Sequence, residues 1–208
     1  MQEHNAYHDI THNELPVLDK TDPGLQIYTE PSIDKHVITE GKIYRAELHN
    51  VRLPDGSQAR RELVYHSGGA GIVAVDDEGY TWLVAQYRKA LEDFVWEIPA
   101  GKLEESEDPR LTAERELKEE TGLSAGKMQH IGNLIATPGY NSEIIHIYYA
   151  SDLTVGSSKP DPGEYLMQVR LPLEAALRAV KQGRILDAKT CYGLLYVWNL
   201  RNGALNDI

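Results

Sequence analysis

The chain predicts an α/β layered sandwich, and three observations carry that prediction. Strand-like runs recur between Gln26 and Leu171, a highly charged helical stretch interrupts them from about Pro109 to Thr121, and two helical patterns close the chain. Mixed strands with helices between and after them indicate layers of sheet and helix around one core. A length of 208 residues suits one domain with an appendage. Composition agrees, since 41% hydrophobic and 25% charged residues are ordinary for a globular protein. The natural divisions are a polar N-terminal segment over 1–23, a β-rich extension over 24–66 and a main domain over 67–208.

The N-terminal segment ends in Thr21-Asp22-Pro23-Gly24, a turn signal. It carries His4, His8 and His12 at helical spacing, which could meet a metal, although exposed histidines in a terminal segment are the ordinary reading. From Gln26 the pattern turns to strands. Lys42–Leu53 and Gln58–His66 flank Pro54-Asp55-Gly56-Ser57 and predict a hairpin. A second hairpin is expected between Gly71–Val75 and Thr81–Tyr87 across Asp76-Asp77-Glu78-Gly79, and Phe94–Ile98 then leads to Pro99-Ala100-Gly101. Asp108 and Pro109 supply a helix N-cap and first position, and Gly122 supplies the C′ residue, so a helix is expected over Pro109–Thr121. Strands follow at Met128–Ala136, Ile144–Ser151 and Tyr165–Leu171, then helices at Leu173–Gln182 and roughly Ala188–Leu200.

A formal net charge of −11 argues against nucleic acid as a partner, because its phosphates would be repelled. An anionic substrate must therefore be met locally, by arginines and by metal. The single cysteine, Cys191, excludes an internal disulfide and a cysteine-rich zinc site, and in an apolar helical pattern it reads as an inert thiol. No signal-peptide pattern or apolar run of membrane-spanning length stands out, so a cytoplasmic protein without a membrane partner is expected.

Within the charged helix, Glu116, Glu119 and Glu120 occupy one turn. Carboxylates at this spacing lie about 5–6 Å apart, and each pair costs roughly 3 kcal/mol at an effective dielectric near 20. A divalent cation reverses that sign. Helical phase divides the three: Ala113 and Leu117 share a direction, Glu116 and Glu120 border that apolar stripe, and Glu119 lies further round. Glu114 with Lys118, and Arg115 with Glu119, are expected as i,i+4 pairs. Glu116 and Glu120 remain as the first metal candidates, and hard oxygen ligands at a partly open site suit Mg²⁺ or Mn²⁺. The competing reading is a solvated, salt-bridged surface helix.

From Gly101 to Leu123 the residues follow G-x5-E-x7-R-E-U-x-E-E-x-G-U, where U is a bulky aliphatic residue. This resembles a complete Nudix box. The flanks Ala59–His66, Gln86-Tyr87-Arg88, Trp96-Glu97-Ile98-Pro99 and Thr137–Glu143, with Pro138 fifteen residues beyond Leu123, resemble the ADP-ribose pyrophosphatase branch of that superfamily. The resemblance spans roughly Tyr44 to Leu200. It implies a Nudix fold, an α/β/α sandwich with a mixed sheet preceded by an N-terminal β-rich dimerisation extension. It also implies metal-dependent hydrolysis of ADP-ribose, to AMP and ribose 5-phosphate, or of a related ADP-sugar, by water attack on phosphorus. Metal ligands carried over by the resemblance are Glu116, Glu120 and the main-chain carbonyl of Ala100, with Glu119 a further candidate. Arg115 would orient the box loop through Glu107. The general base is expected in the loop Asp152–Tyr165, at Glu164, although relatives carry several acidic residues in a row where this loop has Asp161 and Glu164. Arg61 and Arg88 are candidates to meet adenosine or diphosphate, Tyr44 to stack on the base, and Glu97 and Glu143 to hold ribose hydroxyls. A homodimer is implied, with Tyr44 and Arg61 offered to the partner's site. Other nucleoside diphosphate sugars such as GDP-mannose, or a non-catalytic nucleotide-sensing domain, are the alternatives; the complete set of box carboxylates speaks against the latter.

Overall fold

A computed structural model of the chain describes residues 15, 17–161 and 163–205; His4, His8 and His12 lie outside them. Asp22 caps a single helical turn, α1 (Pro23–Gln26), where the sequence predicts a turn, and its carboxylate accepts from the Gly24 N–H at 2.8 Å. Three antiparallel strands follow in order, β1 (Ser32–Glu40), β2 (Tyr44–Arg52) and β3 (Gln58–His66). All nine residues of β1 are exposed, and the buried positions of β2 are Glu47, His49 and Val51. Polar contacts therefore help fasten this sheet: Ser32 Oγ and Glu47 Oε2 lie 2.8 and 2.7 Å from the two ring nitrogens of His49.

The sheet is docked on the rest by β3. Val64 exchanges main-chain hydrogen bonds with Tyr140 and Ser142 at 2.7 and 2.9 Å, which fixes the 137–143 turn against the extension.

Next come β4 (Gly69–Ala74), β5 (Tyr80–Arg88), β6 (Asp93–Glu97), the short β7 (Ala100–Lys102) and α2 (Pro109–Thr121). The chain ends through β8 (Leu123–Leu134), β9 (Ile145–Val155), β10 (Met167–Pro172), α3 (Leu173–Lys181) and α4 (Ala188–Arg201). β4 is buried at all six residues and has neighbours on both edges, β7 antiparallel and β9 parallel, in a sheet ordered β7-β4-β9-β8. Alternation along β4 separates two cores. Ala70, Ile72 and Ala74 face Ala113 and Leu117 of α2, while Val73 and Val75 join Leu194 and Val197 of α4. Helices thus cover both faces of a mixed sheet, the expected α/β/α sandwich. Gly193 permits the close approach of α4, since a Cβ there would lie 2.6 Å from Val73 Cγ2.

The expected hairpin across 76–79 forms its turn and one bridge but not a ladder. β5 belongs to a separate sheet, β10-β5-β6, and only the bridge Val75↔Thr81 joins the two strands. The turn is made, with the Gly79 N–H on Asp76 O at 3.1 Å and the Asp76 N–H on Tyr80 O at 3.0 Å, but beyond it β5 leaves β4 and pairs with β10 and β6. Strand limits shift as well. β8 begins at Leu123, because Gly122, at φ 76°, ends the helix in the left-handed region and turns the chain directly into the sheet. β9 extends to Val155, which shortens the expected acidic loop to 156–166. Glu114 pairs with Arg110 at 3.0 Å instead of with Lys118.

Candidate active site

α2 is capped as the sequence predicts, by Asp108 on the Arg110 N–H and by Gly122. Its apolar face packs on β4 and β9, and Glu120, three residues after the fully buried Leu117, is carried down with it to 4% exposure. The β6–β7 turn meets this carboxylate: the Ala100 N–H donates to Glu120 Oε2 at 2.9 Å. Gly101 at the next position leaves the Glu116 carboxylate its place, because a Cβ there would lie 1.8 Å from Glu116 Oε1. The Glu116 carboxylate lies against the bare backbone of β7.

Arg115 binds the box together. Its Nη1 donates to Glu116 Oε1 at 2.7 Å and to Glu119 Oε2 at 3.1 Å, while Nε and Nη2 reach Glu107 at 3.4 and 3.3 Å. Glu107 in turn accepts from the Glu104 N–H at 3.1 Å, so the loop is tied to the helix through this guanidinium. Arg115 thus takes one oxygen of Glu116 and one of Glu119, leaving Glu116 Oε2 and Glu119 Oε1 free of protein hydrogen bonds among the described residues, and Glu116 is the more buried of the two.

The loop after β9 is fastened to the last turn of α2. Lys159 N–H donates to Glu119 O at 2.9 Å, Gly156 N–H to Gly122 O at 2.8 Å, and the Gln168 side chain to Glu120 O, which satisfies carbonyls a helix end leaves unpaired. Gly122 has a second role there, since a Cβ would lie 2.7 Å from Gly156 O. The loop thereby brings Glu164 to the acidic cluster. Burial pushes the Glu120 carboxyl up to about 8, against the Ala100 N–H and with Glu116, Glu164 and Glu97 adding to the rise. Burial also raises Glu116, where Arg115 opposes and Glu119 and Glu164 reinforce the shift.

A cavity of about 440 Å³ is lined by Ala100, Gly101, Glu120, Glu164, Glu143 and Arg88, among others. A larger one of about 690 Å³, walled by Phe94, Trp96, Leu134 and Leu186, shares Arg88, Glu143, Ile145 and Lys189 with it. One cleft therefore runs from the carboxylates past Arg88 to an aromatic recess. Among the described residues no group of three or more histidine, cysteine or acidic side chains is gathered for a metal. Two carboxylates suffice for Mg²⁺, which keeps several waters and completes its shell with substrate phosphate. A buried glutamate pushed up to about 8 beside a second carboxylate with an open oxygen fits a hard divalent cation.

Arg88 and Glu97 are brought together as a bidentate pair, Nε to Oε1 at 2.6 Å and Nη2 to Oε2 at 2.8 Å. Burial works to raise the Glu97 carboxyl, but Arg88 and Lys189 outweigh it and hold the group below its ordinary value. Glu143 borders both cavities, with its N–H on Asn141 Oδ1 at 3.1 Å. His66 Nδ1 lies 3.6 Å from Glu143 Oε1 and accepts the Gly68 N–H at 2.9 Å. Tyr44 and Arg61 are not brought into the cleft of their own chain. Tyr44 is exposed opposite His66, and Arg61 pairs with Glu30 at 2.8 and 2.7 Å.

Sequence reasoning missed Lys189 and Thr190 at the start of α4, which bond to the Glu97 carboxylate and the Ile98 N–H, and Asp187, which caps that helix and accepts from both. One signal was available: Lys189 stands in a first helical turn, where the helix dipole disfavours a cation.

The fold and the helix-borne carboxylates define a class of protein that handles phosphate anhydrides with a divalent cation. The chain belongs to the NUDIX family, whose domain profile matches residues 66–190. It is 41% identical over 81% of its length, and 92% of the relative's, to a Bacillus subtilis (strain 168) protein named ADP-ribose pyrophosphatase. It is 38% identical over 83% of its length, and 94% of the relative's, to a Bacillus methanolicus protein named methanol dehydrogenase activator. A solved structure described as an ADP compounds hydrolase superposes with a TM-score of 0.74 at 22% identity, covering 85% of this chain and 96% of that one.

Gly101→Ala is expected to keep the fold, with stability changed by about 1 kcal/mol or less, because the end of the Glu116 side chain can swing away. Mn²⁺ affinity measured by calorimetry should nevertheless fall by about 10–100-fold. A second expectation concerns pH. Folded Glu120 keeps its proton up to about 8, whereas an unfolded glutamate releases it near 4.5, so the folded state holds the extra proton across that window. Stability of the metal-free chain should fall as pH rises from about 4.5 to about 8, by on the order of 5 kcal/mol at most. Urea unfolding in EDTA across that range checks this, and Glu120→Gln should flatten the decline.

Proposed function

We propose that this protein hydrolyses the diphosphate of ADP-ribose, to AMP and ribose 5-phosphate, or of a related ADP-sugar, with Mg²⁺ or Mn²⁺ held by Glu116, Glu120 and the main-chain carbonyl of Ala100. The observation that carries this reading is the buried Glu120, held by the Ala100 N–H at the head of a cleft that continues past Arg88. The Bacillus subtilis relative's name supports the choice of substrate. A divalent cation there supplies charge neutralisation for phosphate oxygens and lowers the pKa of water.

The chain's own residues do the rest. Glu164 takes the proton of the attacking water, whose oxygen bonds to phosphorus as the bridging P–O bond breaks and its electron pair leaves with the departing phosphate. The influence of Glu164 on both Glu116 and Glu120 supports its facing the reaction, and its loop is tied to α2 while the residue itself stays exposed. Such a base can close on its proton only once substrate is bound. Arg115 keeps Glu116 and the box loop in place, and Glu119 completes the acidic edge beside it. Arg88 meets the diphosphate through Nη1, and Glu143 accepts from sugar hydroxyls at the far side of the cleft.

Tyr44 and Arg61 serve the site of a partner copy in this reading, with residues 24–66 acting as a dimerisation extension on the 67–208 domain. Support comes from β1, exposed along its whole length with Ile33, Val37 and Ile38 uncovered at 45%, 46% and 57%. Light scattering should give a dimer, and a monomer would remove this part.

The enzymatic reading is tested with ADP-ribose, ADP-glucose and GDP-mannose, Mg²⁺ or Mn²⁺, and identification of the phosphate products. ADP-ribose should be cleaved, Glu120→Gln should lose activity, and Glu164→Gln should lower kcat by about 100-fold or more with KM little changed. Near-normal kcat in Glu164→Gln at saturating Mg²⁺ would refute the base assignment.

A further inference from the structure

Lys189 lies far along the chain from the carboxylate helix, yet it borders both cavities of the cleft. Its side chain is 10% exposed in the first turn of α4, an unfavourable place for a cation. Its ammonium donates to Glu97 Oε2 and, at 3.0 Å, to Asp187 Oδ1. Glu97 is itself 4% exposed on the side chain and takes the Arg88 fork on both oxygens. Two cations and two carboxylates are therefore balanced at the junction of the cavities. Arg88 is the outermost of them, 43% exposed, with Nη1 free of protein acceptors among the described residues.

We propose that Lys189 is a positioning residue for substrate binding: acting through Glu97, it fixes Arg88 so that the free Nη1 meets a phosphate oxygen of the substrate. This rests on the diphosphatase reading above. Glu97 Oε2 is shared between Arg88 and Lys189, so the ammonium anchors the carboxylate on its buried side. Without that anchor the carboxylate follows the half-exposed guanidinium, and the fork loses its fixed direction. Arginine's value at such a place lies in its pre-set planar geometry, which a loosened partner no longer holds.

Thr190 gives an internal contrast. It stands in the same turn, and its Oγ1 accepts from the Ile98 N–H at 2.8 Å and donates to Asp187 Oδ2 at 2.6 Å. It thus holds main chain without touching the Glu97 carboxylate.

Steady-state kinetics with ADP-ribose and Mg²⁺ on the full chain, with thermal unfolding alongside, test the proposal. Lys189→Gln should raise KM by about tenfold or more with kcat within about threefold, and Lys189→Arg should recover most of the loss. Thr190→Val should lower stability but leave KM within about twofold. The pair Glu97→Gln with Lys189→Gln leaves neither charge buried without its partner, so it tests the idea even where the single lysine variant does not fold. Its KM should match that of Glu97→Gln alone, as expected for residues acting as one unit. A further rise in the double variant, an unchanged KM in Lys189→Gln, or an equal KM rise in Thr190→Val would each overturn the positioning role. Should the wild-type chain turn over neither ADP-ribose nor ADP-glucose with metal, the diphosphatase reading fails and this inference falls with it.

Discussion

A carboxylate kept from water, Glu120 against the Ala100 N–H, is the contact on which the arrangement of this molecule depends. Burying an anionic group without a full set of partners is unfavourable, and one N–H does not offset it. That cost is what pushes the Glu120 carboxyl up to about 8. Gly101 gives up its side chain so that Glu116 can lie against the backbone. Arg115 reaches across three other carboxylates yet makes no hydrogen bond to Glu120, which leaves that group for something else to neutralise.

The contact is also held from behind. Lys189 at the start of α4 holds the Glu97 carboxylate, three residues before the Ala100 N–H. A helix on one face of the sandwich thus braces a carboxylate on the helix of the other face. The five residues from Glu97 to Gly101 connect a strand end gripped by α4 to a turn that meets α2.

Much of this was legible in the sequence, for reasons that can be named. The box helix announced itself by its cap, its proline and its final glycine, all local signals, and the structure keeps each in that role. The split between Glu116 with Glu120 and Glu119 followed from helical phase alone. The hairpin at 76–79 had equally good local signals, and they made the turn, but strand pairing is non-local: past the Val75↔Thr81 bridge β5 takes β10 and β6 as its neighbours. The pairing of Arg88 with Glu97 was likewise hidden, although both residues were singled out: the β5–β6 register sets Arg88 opposite Asp93 and Glu97 opposite Val84, so strand pairing alone would not suggest a contact that the long side chains make. Lys189 offered one local hint, a cation in a first helical turn, but its partner Glu97 lies 92 residues away and only the fold brings them together.

The parallel pairing of β4 with β9 has a consequence in time. Ala70 lies beside His146 in the finished sheet, so the central strand leaves the ribosome long before its neighbour exists. Non-local pairs of this kind form late and leave apolar strands waiting. Glu97 waits longer still, for a lysine close to the end of the described chain. The acidic helix can therefore form early, but its carboxylates gain their braced geometry only when nearly the whole polypeptide has been made.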